Sequence, residues 1–168
     1  MSKTTPMRRK DRLITEETSI RQILDENTIV RLGLYDEDRI YVVPVNYSYT
    51  YEKGKLTLYF HGAQAGLKHD ILAKRTSVGF EIDNGGAVVP NETDPSQFTS
   101  HYESIIGSGT VTEISDVEEK KQTVSLFMKH YSPKDWTITD QMVLHTSIYR
   151  LDVDEFQAKS NPKRCLVD

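Results

Sequence analysis

The spacing of apolar positions changes several times along the chain, and each change marks an element. Residues 15–27 set Ile20, Ile23 and Leu24 at helical spacing, with Glu16 and Glu17 at the start, where the helix dipole favours negative charge. Residues 28–35 alternate as a strand does. After an Asp36-Glu37-Asp38 turn, residues 40–51 are rich in β-branched and aromatic side chains, again a strand pattern. Pro44 lies inside that run, and a residue without an N–H implies a break, an edge or a bulge there. A Lys53-Gly54 turn leads to a strand at 55–60, a helix at 65–75 and a strand at 78–83.

Residues 84–97, with Gly85, Gly86, Pro90 and Pro95, read as a long loop. Residues 102–114 form a long strand in which Gly107 and Gly109 suggest a bend or bulge. Ser115 and Glu118 have capping-box spacing and open a helix that Ser132-Pro133 ends. Its stripe Val124, Phe127, Met128 and Tyr131 reads as packing. A final strand covers 146–159. Six strands joined mainly by short turns favour an antiparallel barrel with helices outside it over a parallel sheet. The expected division is a basic arm at 1–14, one domain at 15–160 and a polar tail at 161–168.

Composition narrows the classes. With 168 residues, 37% hydrophobic and 27% charged, the chain suits one core but has little apolar material to cover a large sheet on both faces. A net charge of −4 gives no global attraction for nucleic acid or an anionic membrane, so a phosphate ligand needs a local basic pocket. The lone Cys165 can make neither an internal disulfide nor a cysteine-rich metal site. The basic start lacks a following apolar stretch, and no apolar run is long enough to span a bilayer. The expected location is the cytoplasm.

Several chemistries find no support. The segment 85–92 has neither the glycine spacing nor the strand-to-helix setting of a nucleotide loop. His61, His69, His101, His130 and His145 have no metal-ligand spacing, so no metal site is expected. No nucleophile elbow is present, and Lys68-His69-Asp70 are helix neighbours pointing about 100° apart.

Three stretches fit together instead. An interruption at 42–46 would free backbone groups for the edge of a flat ring. His61-Gly62-Ala63 ends a strand with a turn that permits close approach. Gly66-Leu67-Lys68 opens a helix, whose free N–H groups and adjacent ammonium suit a phosphate. These are the parts an FMN site needs.

The chain resembles the nitroimidazole-reductase-like branch of the pyridoxamine 5′-phosphate oxidase-like FMN-binding split barrels. The resemblance is carried by six segments in order: Met7-Arg8-Arg9-Lys10-Asp11-Arg12, Arg31-Leu32-Gly33-Leu34, residues 41–47, Tyr59-Phe60-His61-Gly62-Ala63, Gly66-Leu67-Lys68, and residues 102–109. It implies a six-stranded antiparallel split barrel forming a homodimer with FMN at the subunit interface. Pro44, Val45 and Asn46 would then line the flavin ring, and His61, Gly62 and Ala63 would meet the ribityl chain and ring edge. Lys68 would bind the phosphate, and Ser104 would complete the site. The implied activity is FMN-dependent electron transfer from a reduced nicotinamide (NADH or NADPH) to a small acceptor such as a nitroaromatic or quinone, with His61 as a hydrogen-bond or proton donor. The alternatives are a non-enzymatic carrier of flavin, haem or deazaflavin and, with less support, pyridoxamine-phosphate oxidation. No residue-level mechanism accounts for the Met7–Arg12 run.

Overall fold

A computed structural model describes residues 7–162; the first six residues of the expected arm and 163–168 of the tail, with Cys165, lie outside the described residues. The elements run β1 (Leu13–Ile14), α1 (Glu17–Glu26), β2 (Ile29–Asp36), β3 (Arg39–Glu52), β4 (Lys55–Gly62), α2 (Leu67–Lys74), β5 (Ser77–Asp83), β6 (Ala87–Val89), β7 (Thr99–Ile114), α3 (Val117–Tyr131), α4 (Asp140–Val143) and β8 (Ser147–Asn161). Every strand pairing is antiparallel. Strands β8, β4, β3, β2, β5 and β7 follow one another across the sheet, and β7 pairs back onto β8. The six long strands expected from the sequence therefore close a ring. The short β1 and β6 are additions to it, β6 formed within the segment expected to be a loop.

Alternation fills the barrel. Tyr47, Leu58, Phe60, Tyr149 and Leu151 point inward and are buried, as are Leu32, Ile82 and Ile105 from the opposite wall. Ile20, Ile23 and Leu24 of α1 join this core, as their helical spacing requires. Each such side chain contributes about 1.5–3 kcal/mol by leaving water. A second, smaller cluster of Ile114, Val143 and Ile148, with Tyr59 and Val124 against it, attaches α3 and α4 to the outside of the wall.

One local expectation shifts and another holds. The N-cap of α3 is Asp116, whose carboxylate accepts from the Glu119 N–H at 2.8 Å, one position after the expected Ser115. The long strand runs through both glycines, with the expected bulge, between Ser108 and Gly109. A Cβ at Gly107 would overlap the Glu155 carbonyl oxygen, and one at Gly109 the Asp152 carbonyl oxygen. The β7–β8 seam can close only where neither residue carries a side chain.

Candidate functional site

Strand β3 changes partners midway. Residues 39–46 pair with β2, and residues 47–52 pair with β4. The expected break at 42–46 does not occur, since β3 is one continuous strand with Pro44 in register opposite Arg31. Proline is tolerated because, over 39–46, only one edge of β3 has a neighbour. The other edge leaves backbone N–H and C=O groups unpaired, so an edge supplies what a break was expected to supply. Pro44 and Asn46 face outward. Val45 packs against the core and pairs with Val30 of β2.

Where β3 hands over from β2 to β4, Tyr131 from the last turn of α3 intervenes. Its hydroxyl donates to the Tyr47 carbonyl at 2.5 Å and accepts from the Tyr47 N–H at 3.1 Å, with the Thr28 carbonyl at 3.1 Å. The Asn46 amide donates to the same Thr28 carbonyl at 3.0 Å. Burial raises the Tyr131 phenol above its usual pKa, so it remains a donor at neutral pH.

The ladder between β3 and β4 ends at Tyr47 opposite Phe60, so Asn46 and His61 flank its last pair. Both line a cavity of about 290 Å³ whose other wall is Val124, Phe127, Met128 and Tyr131 of α3. The stripe expected to be packing is thus mainly the wall of a cavity, and only Phe127 of the four is buried. The His61 ring meets Phe127 edge-on at 5.3 Å between centroids, and Phe127 is stacked with Tyr131 at 6.4 Å. Among the described residues no carboxylate or ammonium lines this space. Desolvation, then the nearby Lys68 ammonium, pull the His61 pKa below its ordinary value, which favours the neutral ring.

Lys68 lies on the other side of the His61 backbone. Its ammonium donates to the His61 carbonyl at 3.0 Å and sits 5.3 and 5.6 Å from the ring centroids of Phe60 and Tyr149. Burial lowers its pKa. Gly62 makes this position possible, because a Cβ there would overlap the Lys68 nitrogen. Gly66 precedes α2 at φ +111°, a conformation that favours glycine, and no side chain caps the helix start. Ala63 is exposed in the intervening turn.

The structure therefore brings together Asn46, His61, Gly62 and Lys68, with the β3 edge at Pro44 and Val45 alongside. It does not bring Ser104 to the cavity. Ser104 is on β7, three strands from β3, or about 14 Å along the sheet. Sequence reasoning missed Phe127, Met128 and Tyr131 as cavity residues, since a stripe at helical spacing looks the same whether it meets a core or a cleft. Among the described residues no group of three His, Cys, Asp or Glu side chains is gathered for a metal. No helix among them is long and apolar enough to cross a membrane.

A closed six-stranded antiparallel barrel with a half-paired strand and a glycine-led helix start beside it defines a split barrel. The family model described as pyridoxamine 5′-phosphate oxidase matches residues 16–160, and the chain belongs to that family. A proposed 5-nitroimidazole antibiotic resistance protein from Bacteroides thetaiotaomicron is 26% identical, with a TM-score of 0.75 over 88% of this chain and 86% of that one. The flavocytochrome Anf3 of Azotobacter vinelandii superposes at a TM-score of 0.77 with 19% identity, over 100% of this chain and 78% of its own. The FAD and heme binding protein of Mycobacterium smegmatis gives 0.74 at 16% identity, over 89% and 73%. A search among curated proteins finds no match.

Proposed function

We propose that this protein is an FMN-dependent oxidoreductase that passes electrons from a reduced nicotinamide to a small uncharged acceptor. One observation carries the reading: an open β3 edge, a free helix start with Lys68, and an apolar cavity holding His61 all meet at the end of β4. The residues fit the cofactor. The edge at 40–46 offers donors and acceptors to a flat ring, while Lys68 and the first N–H groups of α2 offer a seat for its phosphate. Bound there, FMN would supply hydride acceptance and electron donation. The chain's own part is to orient and select. The walls Phe127, Met128 and Val124 exclude water and favour an apolar acceptor, and neutral His61 can donate one hydrogen bond to it. With no cation lining the cavity, a phosphorylated amine such as pyridoxamine phosphate is poorly matched as substrate.

The exposed face of β2 and β3 carries Ile40 and Val42, 64% and 58% exposed, beside the flat Gly33. A contiguous apolar face of this kind suits a second copy of the chain, and the homodimer with flavin at its interface is part of this proposal. So is a cytoplasmic location, which the lone cysteine favours.

The test is the absorbance spectrum of freshly purified protein, before and after adding FMN or FAD, followed by anaerobic NADPH or NADH. Flavin bands that bleach with nicotinamide are expected. Bands that persist indicate a carrier, and a colourless protein that takes up no flavin overturns the reading. Sedimentation of the protein and of Val42→Lys tests the dimer.

A further inference from the structure

The Met7–Arg12 run, for which the candidate site has no use, ends in a cationic cluster at the far end of the barrel. Arg12 comes immediately before β1, and β1 pairs with β8 through Leu13 opposite Lys159. Lys159 is in turn opposite Ser104 of β7. Residues directly opposite share a face of the sheet, and so do residues two apart on one strand. Tyr102, Ser104 and Lys159 therefore project on the same side, and Arg12 closes over them. The Arg12 Nη1 donates to the Tyr102 hydroxyl at 2.8 Å, and its guanidinium lies 5.7 Å from the Tyr102 ring centroid. The Lys159 ammonium lies 5.4 Å from the same centroid.

Two cations thus converge on one phenol, and among the described residues no carboxylate makes a salt bridge with either, although the Arg12 charge acts on Asp11. The acid nearest in sequence, Asp11, is held by Arg9 through two contacts of 2.8 and 2.5 Å. The Arg12 Nε is buried and has no hydrogen-bond partner. A buried donor on a charged group is costly to leave unpaired, and a guanidinium presents its N–H groups as a fork matched to two oxygens. A local charge of this sign on a chain of net −4 also needs a reason.

We propose that Arg12, Tyr102 and Lys159 form an oxyanion site, separate from the Lys68 site, for a small molecule bearing a phosphate or carboxylate group. The accessible part of the Arg12 guanidinium supplies the directional hydrogen bonding, Lys159 the second charge, and the Tyr102 ring holds the two cations in place. Ser104, buried and directly opposite Lys159, lies at the margin of this site. The assignment does not depend on the flavin reading.

The test uses the full chain carrying Lys68→Ala, so that a phosphate seat at α2 cannot contribute. Inorganic pyrophosphate and succinate are titrated by calorimetry at low salt. Pyrophosphate binding that falls about tenfold or more in Arg12→Gln and in Lys159→Gln, with melting temperatures retained, is the expected result. Tighter binding of succinate, lost in the same variants, supports the site with a carboxylate as its ligand. Binding of both probes unchanged in both variants overturns the proposal, as does failure of the parent to bind either probe at millimolar concentration. Should Arg12→Gln not fold, Lys159→Gln alone decides.

Discussion

The two halves of β3 are one strand doing opposite things. Over 47–52 it has β4 beside it, and its three tyrosines are anchored. Tyr47 donates to the Leu24 carbonyl at 2.7 Å, Tyr49 to the Asp25 carboxylate at 2.7 Å, and Tyr51 stacks edge-on against Phe156. Over 39–46 its neighbour is β2 instead, and Ile40, Val42, Pro44 and Asn46 all face solvent. Each half has one edge without a strand; over 39–46 that edge is left open, whereas over 47–52 the Tyr131 hydroxyl bonds the Tyr47 backbone and the Arg21 guanidinium donates to the Tyr51 carbonyl. Stability and ligand capacity therefore occupy adjacent stretches of one element, with Tyr131 at the join.

Substitution should separate the halves. The largest effect belongs to the anchored half. Tyr47→Ala removes a fully buried ring and strands the Leu24 carbonyl, and should cost about 3–5 kcal/mol in urea unfolding. Val42→Ser, in the open half, should change monomer stability by no more than about 0.5 kcal/mol. Equal losses at the two positions would erase the distinction.

Next in size is Lys68→Ala. It should weaken FMN binding by about 1–3 kcal/mol while the melting temperature of the flavin-free protein changes little, as measured by fluorescence quenching of titrated FMN. An unchanged dissociation constant removes Lys68 from the site. Gly62→Ala should act on the same ammonium indirectly, because the added methyl displaces it from the His61 carbonyl. A loss of about 1 kcal/mol in FMN binding is expected, absent when Lys68 is already alanine.

The smallest effect is one of pH. The His61 pKa is lowered in the folded protein, so below the ordinary value of about 6.5 the unfolded chain takes up the proton first. The associated stability is fully present above that value and is lost as pH falls through the folded pKa. His61→Gln should flatten this part of the urea-midpoint profile between about pH 7 and 5. A wild-type profile already flat there would show that the ring is not desolvated.

The fold was readable where the signal is local. Alternation in 28–35 and 55–60, helical spacing in α1 and the paired glycines of β7 each point to one structure on their own. What sequence could not show depends on partners distant in the chain. Pro44 is compatible with a break or an edge, and only the arrival of β4 at residue 47 makes it an edge. Val124, Phe127 and Met128 have the same spacing whether they meet side chains or a cleft. That Asn46, His61 and Lys68 come close together follows from their places near strand or helix ends. Ser104 is placed by the register of β7 against β8, which no local pattern encodes.

That register also bears on how loss of cofactor colour should be interpreted in any mutant collection. From Tyr102 opposite Asn161 to Ile114 opposite Ile148, β7 and β8 are sewn together across Gly107 and Gly109, whose lack of side chains lets the backbones touch. A single methyl at either position would pry the cylinder open along its longest join. Such mutants would turn colourless with every ligand-contacting residue intact, so bleached colonies chart the integrity of the cylinder as much as the address of its guest.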